Sequence, residues 1–142
     1  MSDAEMCRVV LPEIEFQTHD EDKVVQLKSI EKSPGGSGYK CSLLVRSRGF
    51  SCERPFYFDA HSLKDTIDKL TAMEQTLEGE AVLGERCEDE FIEIVVNRYG
   101  QVVVSGMVVE HSGLVQRLTF AFRTDQTILR PLVKDLTRLA EK

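Results

Sequence analysis

Histidine and cysteine are the side chains of this sequence that could bind a metal or act as nucleophiles. The three histidines, His19, His61 and His111, are far apart in the chain. A structural zinc site needs four convergent ligands, and none of these histidines pairs with another or with cysteine at ligand spacing. We therefore predict no metal site and interpret the histidines as loop or cap residues that face solvent.

The cysteines also lack a catalytic pattern. They are Cys7, Cys41, Cys52 and Cys87, with no Cys-x-x-Cys pair among them. Widely spaced cysteines without a secretory signal are typical of reduced cytoplasmic thiols. We predict no catalytic residues, although an enzyme that uses Cys52 or His61 is an alternative.

A glycine-rich segment at residues 33–38 (SPGGSG) resembles a phosphate-binding loop in composition only. It lacks the lysine and the following serine or threonine of a P-loop, and it does not begin a helix. Proline and glycine here indicate a hairpin loop. We therefore predict that the protein binds no cofactor.

The acidic residues are concentrated in one segment. Eight carboxylates lie between Glu74 and Glu93, opposed only by Arg86, whereas the whole chain carries −6. Such a local concentration of negative charge attracts a basic partner. Charged segments are, however, more often simply part of a solvated surface. Four of these acids lie in a predicted loop and are the predicted partner-binding residues: Glu85, Glu88, Asp89 and Glu90. The sequence pI of about 5.1 argues against nucleic acid as the partner.

Alternation of apolar and polar residues predicts the strands that carry these residues. The predicted strands are 8–16, 23–31, 39–46, 50–58, 80–83, 91–96, 101–110 and 118–123, with a charged loop at 84–90. Pro12 and Pro55 favour edge positions for the first and fourth strands. The pairs Phe56/Phe58 and Phe120/Phe122 precede the two helical segments and suggest an internal repeat.

Two segments have the apolar spacing of helices. One runs from Leu63 to Leu77, with Ser62 as the predicted N-cap and Gly79 as the predicted left-handed residue at its end. The other is leucine-rich and C-terminal. Pro131 is predicted at its first position, which leaves Arg130 outside the helix.

These elements predict an α+β domain. Short turns between consecutive strands indicate a mostly antiparallel sheet of about seven strands, with both amphipathic helices packed on one face. We expect a single domain over residues 1–142, with residues 1–7 disordered. The start of the chain has no basic segment followed by an apolar run, and no apolar run is long enough to span a bilayer. We therefore expect a cytoplasmic protein with no membrane contact.

Three short motifs add a family resemblance. Residues 49–51 (GFS) begin the strand before the long helix, residues 77–81 (LEGEA) follow that helix, and residues 122–127 (FRTDQT) precede the last helix. With this order of elements, residues 8–140 resemble the WapI-type family of small bacterial immunity proteins, grouped with the one that protects against the wall-associated toxin WapA.

The resemblance implies a non-enzymatic cytoplasmic protein that binds a toxin domain and blocks it by direct contact. It implies no catalytic residues, and the contact residues are not carried over, because immunity surfaces are matched to their own toxins. A small-ligand-binding α+β domain is the alternative, and it would need an apolar pocket between sheet and helices.

Overall fold

The computed structural model describes residues 11–35, 37–85, 90–97 and 99–141. Within these residues the strands are β1 (Ile14–Glu15), β2 (Lys23–Lys32), β3 (Gly38–Ser47), β4 (Phe50–Asp59), β5 (Gly79–Glu85), β6 (Glu90–Val96), β7 (Gln101–Glu110) and β8 (Gln116–Asp125). The helices are α1 (Ala60–Thr76) and α2 (Leu129–Glu141), and a 3-10 turn (Gln126–Ile128) precedes α2. The predicted disorder of residues 1–7 falls outside the described residues.

The strands form two antiparallel sheets of four, in the orders β1-β2-β3-β4 and β5-β6-β7-β8. The α+β class is confirmed, but the prediction of one sheet of about seven strands with both helices on one face is wrong. The reason is that α1 follows β4 in the chain, and β5 then pairs with β6 instead of returning to β4. Both predicted edge strands, β1 and β4, do lie at the edges of the first sheet.

Helix α1 covers the free edge of β5. The Thr66 hydroxyl donates to the Val82 carbonyl over 2.7 Å, and the Gly84 N–H donates to the Ser62 hydroxyl over 3.3 Å. An open strand edge would otherwise present unpaired backbone groups to other chains. The helix therefore closes the second sheet on this side.

The ends of α1 differ from the predicted ones. Asp59 is the N-cap in place of Ser62, and its carboxylate accepts from the Ser62 N–H over 2.6 Å. At the other end Leu77, in place of Gly79, adopts the left-handed conformation, with φ of 58°. Its N–H donates to the Met73 carbonyl and closes the last turn.

Helix α2 begins two residues earlier than predicted, so Arg130 is helical and Pro131 is its third residue. The amides of a first helical turn have no partner within the helix, so proline costs little there. The Arg130 Nε lies 2.7 Å from Glu74 Oε1 of α1, although the arginine side chain is largely exposed.

Four strands followed by a helix occur twice in the chain, which agrees with the suggested internal repeat. The two aromatic pairs lie on the last strands of the two sheets with similar geometry. Ring centroids of Phe56 and Phe58 are 6.1 Å apart at 42°, and those of Phe120 and Phe122 are 6.0 Å apart at 34°. Both pairs are buried in the core.

One hydrophobic core joins both halves of the chain. Side chains from both sheets and both helices contribute to it, among them Leu43, Leu70, Ile94 and Leu136. Burial of such side chains is the main favourable term in folding, at about 25 cal/mol per Å² of apolar surface. Because one face of each sheet contributes side chains to this core, the opposite face of each sheet is its outward face.

Candidate partner-binding surface

The predicted acidic loop is shorter than expected. Strand β5 continues to Glu85 and β6 begins at Glu90, and these two residues oppose each other in the register. Glu88 and Asp89 lie outside the described residues. Two of the four predicted partner-binding residues are therefore in strands, at the end of the β5–β6 pair.

Glu90 also lines a cavity of about 330 Å³ at the start of α1. Tyr39 and Tyr57 line it together with polar side chains from Ser33, Ser37, Asp59 and Ser62. This volume is at the low end of the range for small-molecule sites. The small-ligand alternative would need an apolar pocket between sheet and helices, whereas much of this lining is polar.

The described cysteines are not activated. Cys41 is buried, and burial raises the pKa of its thiol to about 12. Burial also raises the pKa of Cys52, against the opposing effect of the nearby Arg54 guanidinium. A raised pKa leaves little thiolate at neutral pH. No group of three or more His, Cys, Asp or Glu in the described ranges could hold a metal ion.

The motif at 122–127 has a structural role. Asp125 ends β8, and its carboxylate accepts from the Thr127 N–H over 3.0 Å and from the Thr127 hydroxyl. His19, on the turn between β1 and β2, places Nε2 3.5 Å from Asp125 Oδ1. The motif thus stabilises the turn before α2 and connects it to the turn between β1 and β2.

These contacts predict a pH dependence. Hydrogen bonds from Thr127, followed by the charge of His19, lower the pKa of Asp125 from its ordinary 3.8. A lowered folded-state pKa gives stability that is present above the unfolded-state pKa and lost as the pH falls through the folded-state pKa. We expect wild type to be more stable than Asp125→Asn at pH 7, and the gap to narrow below about pH 3.8. Urea unfolding across pH 3–7 measures the gap.

Glu141→Gln, which removes an exposed carboxylate from the last residue of α2, is the control for a general charge effect. A gap between wild type and Asp125→Asn that does not change with pH would contradict the assigned role of the carboxylate.

The second sheet has an apolar outward face that the sequence interpretation missed. Directly opposed residues share a face of a sheet, and the register opposes Phe91 to Met107 and Val95 to Val103. Val82 of β5 lies on the same face, since it and its strand neighbours alternate with the buried Ala81 and Leu83. All five side chains of this outward apolar face are half-buried: Val82, Phe91, Val95, Val103 and Met107.

The first sheet provides an internal comparison. Its outward positions on β2–β4 are mostly polar, including Gln26, Lys28, Ser42 and Glu53, and the Ser42 hydroxyl donates to Glu53 over 2.8 Å. Val24, Leu44 and Tyr57 are apolar or aromatic residues among them. A solvated sheet face is usually polar, which is the pattern of the first sheet and not of the second.

Two carboxylates belong to the outward apolar face. Glu93 opposes Val82 on one side and Ser105 on the other, so it lies among the apolar side chains. Glu80 opposes Val95 at the β5 side of the face, whereas Arg123 opposes Val103 at the β8 side. The acidic segment of the sequence thus contributes to this face as well as to the end of the β5–β6 pair.

A sequence signal for this face exists. Residues 91–96 (FIEIVV) and 101–109 (QVVVSGMVV) are nearly continuous apolar runs, in contrast to the alternating pattern of β3. Continuous apolar runs are typical of strands that are covered on both faces. In the described part of β6 and β7, Phe91, Val95, Val103 and Met107 are half-buried on the outward face, whereas Val109 on the same face is buried.

Comparison with protein families matches residues 13–142 to the immunity protein WapI-like family. Comparison with curated proteins gives no match, and neither does comparison with solved structures. No helix in the described part of the chain has both the length and the apolar character needed to cross a membrane. Because the family match spans most of the sequence, the chain belongs to the WapI-like family of immunity proteins.

Proposed function

We propose that this protein is a non-enzymatic, cytoplasmic bacterial immunity protein that neutralises a cognate toxin domain by direct protein–protein contact. The observation that carries the proposal is the family match over residues 13–142. The raised thiol pKa values of Cys41 and Cys52 are consistent with a protein that acts by binding and not by thiol chemistry.

The acidic segment gives this binding an electrostatic component. Glu85 and Glu90 lie at the same end of the β5–β6 pair, and the residues between them in the sequence include Glu88 and Asp89. Carboxylates grouped in this way accelerate encounter with a basic surface, and salt screens the effect over about 10 Å at 0.1 M. These four residues are therefore our proposed steering site for the toxin domain.

Charge reversal tests this steering site. The toxin domain is first recovered with the tagged wild-type chain from lysate of its own source, identified, and purified on its own. Replacing Glu85, Glu88, Asp89 and Glu90 with lysine is expected to slow association with it at least ten-fold at low salt. Surface plasmon resonance at 20 mM and 300 mM salt measures the rate constants, and the difference from wild type should shrink at the higher salt.

A matched control reverses four exposed carboxylates of the first half of the chain: Glu13, Glu15, Glu21 and Glu31. This control variant changes the net charge by the same amount, so a local steering site predicts a much smaller loss of rate. If both variants lose the same share of the association rate constant, net charge alone explains the effect and no local steering site exists. Failure of the purified toxin domain to bind wild type would overturn the immunity function itself.

A further inference from the structure

One wall of the cavity at the start of α1 comes from the glycine-rich segment of the sequence. The Ser33 N–H donates to the Gly38 carbonyl over 2.8 Å, and the Ala60 N–H donates to the Ser37 carbonyl over 3.0 Å. These bonds hold the segment against the first residue of α1, where Ser37 and Gly38 line the cavity. The cavity is therefore bounded on this side by hydrogen-bonded backbone.

Tyr39 brings a polar atom without a partner to this cavity. The residue is only 3% exposed, and its ring stacks on that of Phe58 with the centroids 5.1 Å apart. In the described part of the chain its hydroxyl has no hydrogen-bond partner, yet this oxygen is not among the fully enclosed polar atoms that lack one. The oxygen therefore keeps an accessible side, and the cavity that Tyr39 lines is the open space beside it. Polar groups that a buried residue presents to a cavity usually fix the orientation of a ligand.

The cavity has two carboxylates and no cation. Asp59 and Glu90 line it, and its described lining residues include no lysine, arginine or histidine. The Asp59 carboxylate accepts from the Ser62 N–H, and Glu90 is half-buried. Ionised carboxylates only accept hydrogen bonds, so the cavity disfavours anions and suits a positively charged group that only donates.

We infer that this cavity binds an arginine side chain of the toxin domain. The inference rests on the proposed function and names a contact within it. A guanidinium group is planar, carries five donors and stacks on aromatic rings, whereas the ammonium group of lysine is a compact point charge. Tyr57 lines the cavity but is 61% exposed, so its ring is accessible to an incoming guanidinium.

The proposed steering site connects this cavity with the toxin domain. Glu90 belongs to both, so a basic surface that the carboxylates attract arrives with its cations next to the cavity. A free small cation would find the same groups, and the experiments below separate the two sources. An arginine of the toxin domain is the occupant to which we commit.

Two variants that change no charge test the contact. Tyr57→Ala is expected to raise the Kd for the purified toxin domain at least five-fold, and Tyr39→Phe, which removes only the hydroxyl, at least two-fold. Both should act mainly through faster dissociation, because the steering carboxylates are unchanged. The matched control is Tyr99→Ala, which truncates a largely exposed tyrosine in the turn between β6 and β7 and should leave the Kd within two-fold. Circular dichroism verifies that each variant is folded.

A double-mutant cycle identifies the arginine. Each exposed arginine of the purified toxin domain is replaced in turn with lysine, which keeps the charge but loses the planar fork. For one of them the Kd should rise at least five-fold with wild type and less than two-fold with Tyr57→Ala, since the contact is already lost in that variant. A toxin domain with no arginine coupled to Tyr57 in this way contradicts the inference.

A small probe tests the ligand class without the toxin domain. n-Butylguanidinium is expected to give saturable shifts of the Gly38, Ser62 and Gly84 amide signals in NMR titrations. The uncharged n-butylurea has nearly the same shape and should give much smaller shifts. Glu90→Gln should weaken binding of n-butylguanidinium, whereas Glu78→Gln, at an exposed residue after α1, should not. Equal responses to the two compounds, or no response to either, would overturn the assigned ligand class.

The outcomes separate this inference from the proposed function. An unchanged Kd for Tyr57→Ala and Tyr39→Phe, with wild type still binding, overturns the inference and leaves the immunity function in place. If n-butylguanidinium nevertheless binds, the cavity belongs to a free small cation, and the inference is still overturned. No binding of the purified toxin domain by wild type overturns both.

Discussion

Gly106→Ala is expected to destabilise the protein by about 3 kcal/mol, through overpacking in the second sheet. A Cβ at this position would lie 2.3 Å from the Phe91 carbonyl oxygen and 2.6 Å from Cζ of Phe120. The Phe120 ring could rotate slightly, but the carbonyl belongs to the backbone of β6 and cannot move without disturbing the sheet. Urea unfolding at pH 7, analysed for the midpoint and the slope, measures the change.

Gly49→Ala is the matched control for this substitution. A Cβ on Gly49 has no atom within 4 Å, so the same chemical change should alter the free energy of unfolding by less than about 0.5 kcal/mol. Equal midpoints for Gly106→Ala and Gly49→Ala would contradict the close approach of β6, β7 and Phe120.

Leu136→Ala is expected to cost about 2–5 kcal/mol, because it opens a cavity in the shared core. Leu136 is fully buried in α2, which packs against α1. A small domain is stable by only about 5–15 kcal/mol, so this change removes a large share of the total. The expected result is a lower urea midpoint with an unchanged slope, measured as for Gly106→Ala.

Leu114→Ala removes the same atoms from a residue that is 88% exposed, in the turn between β7 and β8. It should change the free energy of unfolding by less than about 0.5 kcal/mol. A loss for Leu136→Ala as small as this control would mean that α2 is not anchored in the core, in conflict with the burial of its leucines.

We expect charge reversal at the proposed steering site to lower the association rate constant more than it raises the dissociation rate constant, because charged groups attract a basic partner over distance. Separate measurement of the two rate constants is therefore a stronger test of the steering site than affinity alone.

Local periodicity was enough to predict the strands but not the sheets. The alternation in β3 and β8 reflects one buried and one exposed side, a property of each strand alone. The division into two sheets depends on whether β5 pairs with β4 or receives α1 on its edge. In the structure, the hydroxyls of Thr66 and Ser62 on α1 form hydrogen bonds with the backbone of β5, and no local sequence pattern reveals these long-range contacts.

The N-cap of α1 likewise could not be predicted from the local sequence. Ser62 precedes the apolar stripe of α1 and has the chemistry of an N-cap, yet its hydroxyl is used by Gly84 of β5 while Asp59 caps the helix. For the candidate site, the sequence located the acidic segment but not the face beside it. The nearly continuous apolar runs of β6 and β7 are a sequence signal for a second apolar face, but the register is needed to show which residues share that face.

The placement of α1 has a consequence for how this architecture can be divided. The helix ends the first group of four strands in sequence but closes the edge of the second group, and α2 in turn packs on α1 and reaches β1. If the chain were cut at Glu78, β5 in the second half would lose the helix on its edge. In the first half, α1 would lose its contacts with β5 and α2. Because each half contributes a helix that packs on the other half, we expect that neither half folds stably alone.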